Sequence, residues 1–285
     1  MSRIAYVNGR YLRLANAVVS IDDRAFQFGD GVYEVCEVRH GSPIDETRHL
    51  ERLARSLKTL RIAPPVGESA LRRILREIVA RNRVRDGLAY IQISRGVARR
   101  DHGFPAASIR PGLVVTAKSL DPRLGEANAK RGVGVVTLPD ERWAHPHIKT
   151  LQLLPNVLAK QAAREAGATE AWLVDREGLI TEGASTNAWI VGETGVLITR
   201  PANQEILRGV TRMTLLDVVA QEGVAFEERA FSVEEAYRAR EAFFSSATTI
   251  AMPVVAIDGR SIGDGAPGPV TLALRRKFHA AAERS

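Results

Sequence analysis

A single cysteine, Cys36, stands among 285 residues, so the chain forms no internal disulfide and holds its fold without such staples. That scarcity fits a reducing compartment. Cys36 lies in the run Val35–Val38 with no motif partner beside it, and reads as a small buried hydrophobe rather than a nucleophile. No apolar stretch approaches the roughly 20 residues that cross a bilayer, which excludes a spanning helix. The opening MSRIAYVNGRYL lacks the apolar centre of a signal peptide, so the expected location is the cytoplasm. Fixed-period repeats and low-complexity tracts are missing too, which excludes a solenoid or a disordered linker protein. No metal site is expected.

What is present is ordinary for a soluble globular protein. Apolar residues make up 45% and charged residues 26% of the chain, and 285 residues suffice for two domains or one large one. The net charge of +7 raises the question of nucleic acid. Yet the arginines alternate with acids and apolar residues, as in HLERLARSLKTLRI (49–62) and LRRILREIVARNR (71–83), which is the pattern of solvated helix faces. Neither a nucleic-acid nor a membrane partner is expected. A positive field does favour small anionic substrates such as keto acids.

The pattern predicts a hairpin at IAYVNGRYL, centred on Asn8-Gly9, and then a turn and strand in FGDGVYEVCEV. Helices are predicted over 46–61, with Leu50, Leu53, Leu57 and Leu60 on one face, and over 68–82, with Leu71, Ile74, Leu75, Ile78 and Val79. Pro64-Pro65 separates them. Strands follow at 89–94 and 112–117, and the polar stretch after them reads as a linker at 119–126 between domains at 1–118 and 127–285. The second half predicts a strand at 132–138, a helix at 155–166 stopped by Gly167, and strands AWLVD and TNAWIV around a DREG turn. Another helix starts near Gly209, and a capping box at 232–235 opens a short one. Strands FFSS and VVAID come next, then a helix behind Gly268-Pro269. Strand clusters with helices grouped between them predict an α+β fold.

Four stretches carry candidate chemistry. Lys149, in HPHIKTLQLLPNVLAK, sits in an apolar setting that disfavours an ammonium and suits a Schiff-base former; the plainer reading is a surface charge. In LITEGASTNAWIV, Glu182 enters a turn of small residues that allows close approach of a ligand, with Ser185, Thr186 and Asn187 as hydrogen-bonding groups; alternatively it is a surface turn. In EILRGVTRMTLL, Gly209, Val210 and Thr211 open a helix whose free amides suit an anion, unless Thr211 or a neighbour merely caps it. In YIQISRGVARRDHGFP, Arg95, Arg99, Arg100 and His102 crowd a loop after a strand, either as a carboxylate trap or as a solvated basic loop.

In order and spacing these stretches, together with DDRAFQFGDGVYEV, HLERL and FFSSATT, make the chain resemble the fold-type IV (class IV) pyridoxal-phosphate aminotransferases along nearly its whole length. The resemblance implies a small N-terminal α/β domain and a larger, β-rich C-terminal domain with pyridoxal 5′-phosphate between them. Lys149 would carry the cofactor as a Schiff base and shuttle the proton. Glu182 would bind the pyridine nitrogen. Arg52, in HLERL, would bind the phosphate together with Gly209, Val210 and Thr211, completed by Ser246 and Ala247. Ser185, Thr186 and Asn187 would line the cofactor. The family's D-amino acid enzymes carry an RGxxxRxH pattern, here RGVARRDH, so Arg100 and His102, reaching in from a partner subunit, would hold the substrate carboxylate with Tyr33. That implies ping-pong transamination between D-amino acids and 2-keto acids in a homodimer. Alternatives within the same fold are a branched-chain L-amino acid aminotransferase, an (R)-amine transaminase and, more distantly, aminodeoxychorismate lyase. Two positions depart from the pattern: Ala247 stands where relatives often place a threonine, and Glu37 where some D-specific members place a lysine.

Overall fold

In the structure, a computed structural model that describes residues 3–285, the Asn8-Gly9 pair turns the chain back on itself as its residue types predict. Both residues adopt positive φ (46° and 96°), as a tight hairpin turn between right-twisted strands requires. The turn joins β1 (Ile4–Val7) to β2 (Arg10–Arg13). A short helix, α1 (Arg24–Phe28), follows; Asp23 caps it through the amide of Ala25, and Gly29 ends it at φ 65°.

The chain divides into two compact units. One holds residues up to Pro122 together with Ile148–Gln152 and Glu283–Ser285; the other holds Arg123–His147 and Leu153–Ala282. In the first unit, β3 (Gly31–Arg39), β4 (Ser42–Pro43), β5 (Gly87–Ser94) and β6 (Gly112–Ser119) complete an antiparallel six-stranded sheet of order β2-β1-β6-β5-β3-β4. Helices α2 (Glu46–Thr59) and α3 (Glu68–Arg81) bury the predicted faces, Leu50, Leu53 and Leu57 on one and Leu71, Ile74, Leu75, Ile78 and Val79 on the other. Alternation along β3 sends Val32, Glu34, Cys36 and Val38 to the buried side and leaves Tyr33, Val35, Glu37 and Arg39 half-buried on the opposite face. Cys36 is fully buried and free, and burial raises its thiol pKa well above the usual value, so it packs as a hydrophobe.

Helix α4 (Pro122–Arg131) stands where a linker is predicted over 119–126: its polar residues clothe an amphipathic turn that buries Ala129. The second unit then builds a nine-stranded mixed sheet. Strands β7 (Val133–Pro139) and β8 (Glu170–Val174) pair in parallel, so the chain between them must cross over, which it does through α5 (Leu154–Glu165). Gly167, at φ 73°, lies beyond that helix as its position predicts. The remaining strands are β9 (Ile180–Gly183), β10 (Asn187–Val191), β11 (Leu197–Thr199), β12 (Phe226–Glu228), β13 (Glu241–Ser246), β14 (Ile250–Ile257) and β15 (Arg260–Ser261). The order is β12-β11-β10-β13-β14-β7-β8-β9, with β15 paired to β14. Helices α6 (Val210–Glu222), α7 (Val233–Tyr237) and α8 (Pro269–Ala281) complete the unit, and the capping box on Ser232 and Glu235 forms in full. Trp172, Ile190, Phe231, Phe244 and Val254 are central to its core. Helices and mixed sheets in two units make the fold α+β.

Candidate active site

In the first unit, Lys149 is positioned by edge pairing. Strand β4 covers β3 only at Val38 and Arg39, which leaves the other end of that edge open. Residues 149–151 fill it: Thr150 bridges Val32, the amide of Tyr33 donates to the Lys149 carbonyl (3.0 Å), and the amide of Leu151 donates to the Gly31 carbonyl (3.1 Å). The approach is close enough that a Cβ on Gly31 would lie 2.8 Å from the Leu151 side chain and 2.5 Å from the Ile93 carbonyl, so only glycine fits there. The Lys149 amide donates to the hydroxyl of Ser56 on α2 at 3.5 Å, a long bond. The Lys149 ammonium lies 4.3 Å above the centroid of the Tyr33 ring, within the range of a cation–π contact. Tyr33 in turn packs 5.7 Å from Tyr90, whose phenol burial pushes up to about 12.

Behind Tyr33, on the covered side of the sheet, Glu34 is fully buried. Arg52 holds its carboxylate with Nε (2.7 Å) and Nη2 (2.8 Å), and His49 Nδ1 lies 2.7 Å from Oε2. Burial pushes this carboxyl up, but the guanidinium and imidazole outweigh it and hold its pKa far below the ordinary range. Arg52 thus spends two donors on Glu34.

The loop bearing Arg100 and His102 also belongs to the first unit, and both residues are exposed. Arg100 lies 5.1 Å and His102 5.5 Å from the Phe28 ring. Arg95, from the same sequence pattern, is buried and bonded to Asp30 and to the carbonyls of Leu60 and Arg61, so it is a fixed part of the fold.

In the second unit, Glu182 lies within β9 rather than after it, and it is buried. Its Oε2 accepts from Asn187 Nδ2 (2.9 Å), and its Oε1 accepts from the Leu207 amide (3.1 Å) and from Arg142 Nη1. Arg142 also grips Asp140 with Nε and Nη2 (2.9 and 2.7 Å). Burial raises the Glu182 pKa above its ordinary value; Arg142 opposes that shift without cancelling it. Asn187 further donates to the Leu207 carbonyl (3.0 Å), and a Cβ on Gly209 would sit 2.0 Å from its Oδ1, so glycine is required for α6 to begin against this side chain. No side chain caps the start of α6, so its first amides, at Val210 and Thr211, take no side-chain partner.

Ser185 is exposed and its hydroxyl is donated to Glu170 (2.8 Å), while the Thr186 hydroxyl oxygen is buried without a hydrogen-bond partner. Ser246 shares its hydroxyl with those of Thr248 and Thr249 (3.1 and 2.8 Å) in the turn that contains Ala247. Ile250, next in the chain, takes φ 58°, a left-handed conformation that costs a β-branched residue about 1–3 kcal/mol.

Residues 31–257 match the amino-transferase class IV family. The chain belongs to the class IV aminotransferases. The D-alanine aminotransferase of Bacillus licheniformis is 41% identical over 264 residues, covering 93% of this chain and 92% of that one. That of Staphylococcus haemolyticus is 37% identical over 274 residues, 96% of each. Among solved structures, the T.th. branched-chain amino acid aminotransferase with pyridoxamine 5′-phosphate superposes with a TM-score of 0.89 at 26% identity, covering 98% of this chain and 93% of that one. The Escherichia coli branched-chain enzyme gives 0.88 at 25% identity, covering 98% and 94%.

Class IV aminotransferases use pyridoxal 5′-phosphate, and the residues present here fit it. The uncapped start of α6 suits a phosphate, by open amides and by helix dipole together. The unpartnered Thr186 hydroxyl is a buried group that lacks a ligand-side bond. Glu182 keeps an elevated affinity for a proton, the property a carboxyl needs to share one with a ring nitrogen. Sequence reasoning missed Arg142 and Asp140: they lie about forty residues before Glu182, in a segment with no helical or strand period, and only the fold brings them to it. Among the described residues, no group of three or more His, Cys, Asp or Glu side chains can hold a metal ion, and no helix is long and apolar enough to cross a membrane.

Proposed function

We infer that this chain is a pyridoxal-phosphate transaminase that moves amino groups between D-amino acids and 2-keto acids. The likeness to D-alanine aminotransferases over more than nine-tenths of the chain supports the handedness. The geometric observation that carries the chemistry is the Lys149 ammonium, held by edge pairing 4.3 Å above the Tyr33 ring. When bound, the cofactor supplies the electron sink that stabilises negative charge at the substrate α-carbon.

Each residue then has a defined task. Lys149 would hold the cofactor through its side-chain amine, and that amine would take up and return the substrate α-proton. Glu182, oriented by Asn187 and Arg142, would hold the ring nitrogen's proton. Val210 and Thr211 amides, after Gly209, hold the phosphate, with Arg52, Ser246 and the Ala247 backbone as further partners. Ser185, Thr186 and Asn187 would line the cofactor, Thr186 with its unpartnered hydroxyl. Tyr33, Arg100 and His102 take the substrate carboxylate.

We place Arg100 and His102 in the site of a second copy of the chain, as a homodimer. Supporting this, the neighbouring surface exposes Val18, Ile21 and Phe26, each about three-quarters accessible, an apolar group that water disfavours. Light scattering at micromolar concentration should read about twice the 31.1 kDa chain mass. The free Cys36 suits a reducing compartment, and we place the enzyme in the cytoplasm.

The structural likeness to branched-chain enzymes supports a second reading, transamination of L-amino acids on the same machinery. One experiment separates them. The purified protein, loaded with cofactor, should show a visible band that bleaches with D-alanine and returns with 2-oxoglutarate. Bleaching by L-leucine alone would favour the branched-chain reading. Lys149→Ala should abolish both turnover and that band; near-full activity without added amine would remove Lys149 from its role.

A further inference from the structure

The loop that carries Arg100 and His102 has no secondary structure over 97–104 apart from a bridge at its first residue, yet its ends and its middle are tied to one carboxylate. Asp30, three residues before Tyr33, accepts from Arg95 Nε and from Arg24 Nε on the same oxygen, each at 2.8 Å. Arg95 stands at the loop's start and lies 3.8 Å over Phe104 at its far end. Arg24 is 3% exposed and its Nη1 donates to the main-chain carbonyl of Asp101 at 2.6 Å. Asp101 is the residue between Arg100 and His102. The guanidinium of Arg24 also lies 4.7 Å over the Phe28 ring, the same ring that Arg100 and His102 approach. The start of α1 is itself fixed, because the Arg24 amide donates to the Gly96 carbonyl (3.0 Å) and Asp23 caps the helix.

We propose that Arg24 is a positioning residue for substrate selection: through the Asp101 carbonyl and the Phe28 ring it holds Arg100 and His102 in the geometry that grips a carboxylate. The proposal rests on the reading that Arg100 and His102 bind that carboxylate. A planar guanidinium and a carboxylate recognise each other only over a narrow range of orientation. An untethered loop would have to be ordered at each binding event, and that entropy cost falls on affinity. The chemical step, carried by other residues, is untouched. Arg24 therefore acts on KM and leaves kcat nearly unchanged.

The test uses the holoenzyme with Arg24→Met, Arg24→Lys, Phe28→Leu and Arg100→Ala. In Arg24→Met, Asp30 keeps Arg95 on the same oxygen, so no buried carboxylate is left without a cation. Two quantities are read beside the melting temperature: the KM and kcat for D-alanine, and the calorimetric Kd of propionate, which has a carboxylate and no amino group to react. Arg24→Met should raise both KM and the propionate Kd by about tenfold or more, the size of one charge-assisted hydrogen bond, with kcat within about twofold. Arg24→Lys should recover part of the loss, and Phe28→Leu should raise both constants by a smaller factor. If Arg100→Ala leaves the propionate Kd unchanged, the carboxylate-binding reading itself fails. If Arg100→Ala weakens propionate while a natively melting Arg24→Met does not, the positioning role is overturned; a fall in kcat at constant KM overturns it equally. Should Arg24→Met fail to fold, Arg24→Lys and Phe28→Leu decide on the same readouts.

Discussion

Glu34 in one unit and Glu182 in the other are the same side chain in much the same burial, each bonded to an arginine, and their proton affinities move in opposite directions. The difference lies in the charges that surround each carboxylate. Glu34 takes two donors from one guanidinium and a third bond from His49. Glu182 takes one guanidinium nitrogen, an amide and a side-chain amide, and its arginine is shared with Asp140. In the first case the partners overcome desolvation; in the second they do not. A carboxylate matched by its own cations is a framework group, and one that shares its cation with a second carboxylate keeps a raised affinity for a proton.

The comparison can be broken most forcefully at Glu34. Glu34→Gln leaves Arg52 and His49 buried without their anion and should cost about 3–5 kcal/mol of stability, read by urea unfolding. Glu182→Gln should cost less stability, because Asp140 still neutralises Arg142, but should lower turnover by about 10²–10³-fold and weaken cofactor retention on dialysis. Arg142→Met removes the influence that opposes desolvation at Glu182, so the acid limb of the kcat/KM profile should move to higher pH, with a fall in rate of about tenfold. Unchanged pH dependence in that variant would mean that Arg142 does not act through Glu182.

The two carboxylates should also leave opposite marks on stability against pH. The Glu34 pKa is depressed on folding, so its contribution is present above the unfolded value of about 4.5 and is lost as pH falls below it; wild type should lose stability relative to Glu34→Gln on acidification. The Glu182 pKa is raised, so its contribution is complete below about 4.5 and fades as pH rises; wild type should lose stability relative to Glu182→Gln as pH rises above that value. Parallel curves would dissolve the distinction. The smallest effect is expected at Ala247: Ala247→Thr adds a hydroxyl beside those of Ser246 and Thr248 and should tighten cofactor binding by about 1 kcal/mol, seen as slower loss of colour on dialysis.

Local chemistry is legible in the sequence where a pattern repeats over a few residues. The Asn8-Gly9 turn, the leucine face of α2, the Ser232 capping box and the start of α6 at Gly209 all follow from near neighbours, though that α6 begins uncapped does not. The α4 helix reads as linker because its polar composition hides a single buried residue, Ala129. Arg142 is not legible, nor are the bonds from Arg24 to Asp101 and from Arg52 to Glu34, because pairings between segments distant in sequence have no period to betray them. Lys149 is named by resemblance; its surroundings alone do not separate it from a surface lysine, since what places it is the vacant edge of a strand more than a hundred residues earlier.

That vacant edge has a consequence for synthesis. Strand β3 leaves the ribosome long before residue 149 is made, and at roughly 5–20 residues per second the wait lasts on the order of ten seconds. Throughout that interval the Gly31–Tyr33 backbone presents unpaired amides and carbonyls to any extended chain nearby. The nascent protein is therefore open to misassembly at the place where its lysine will later dock, and a chaperone that shields this edge would raise the yield of active enzyme.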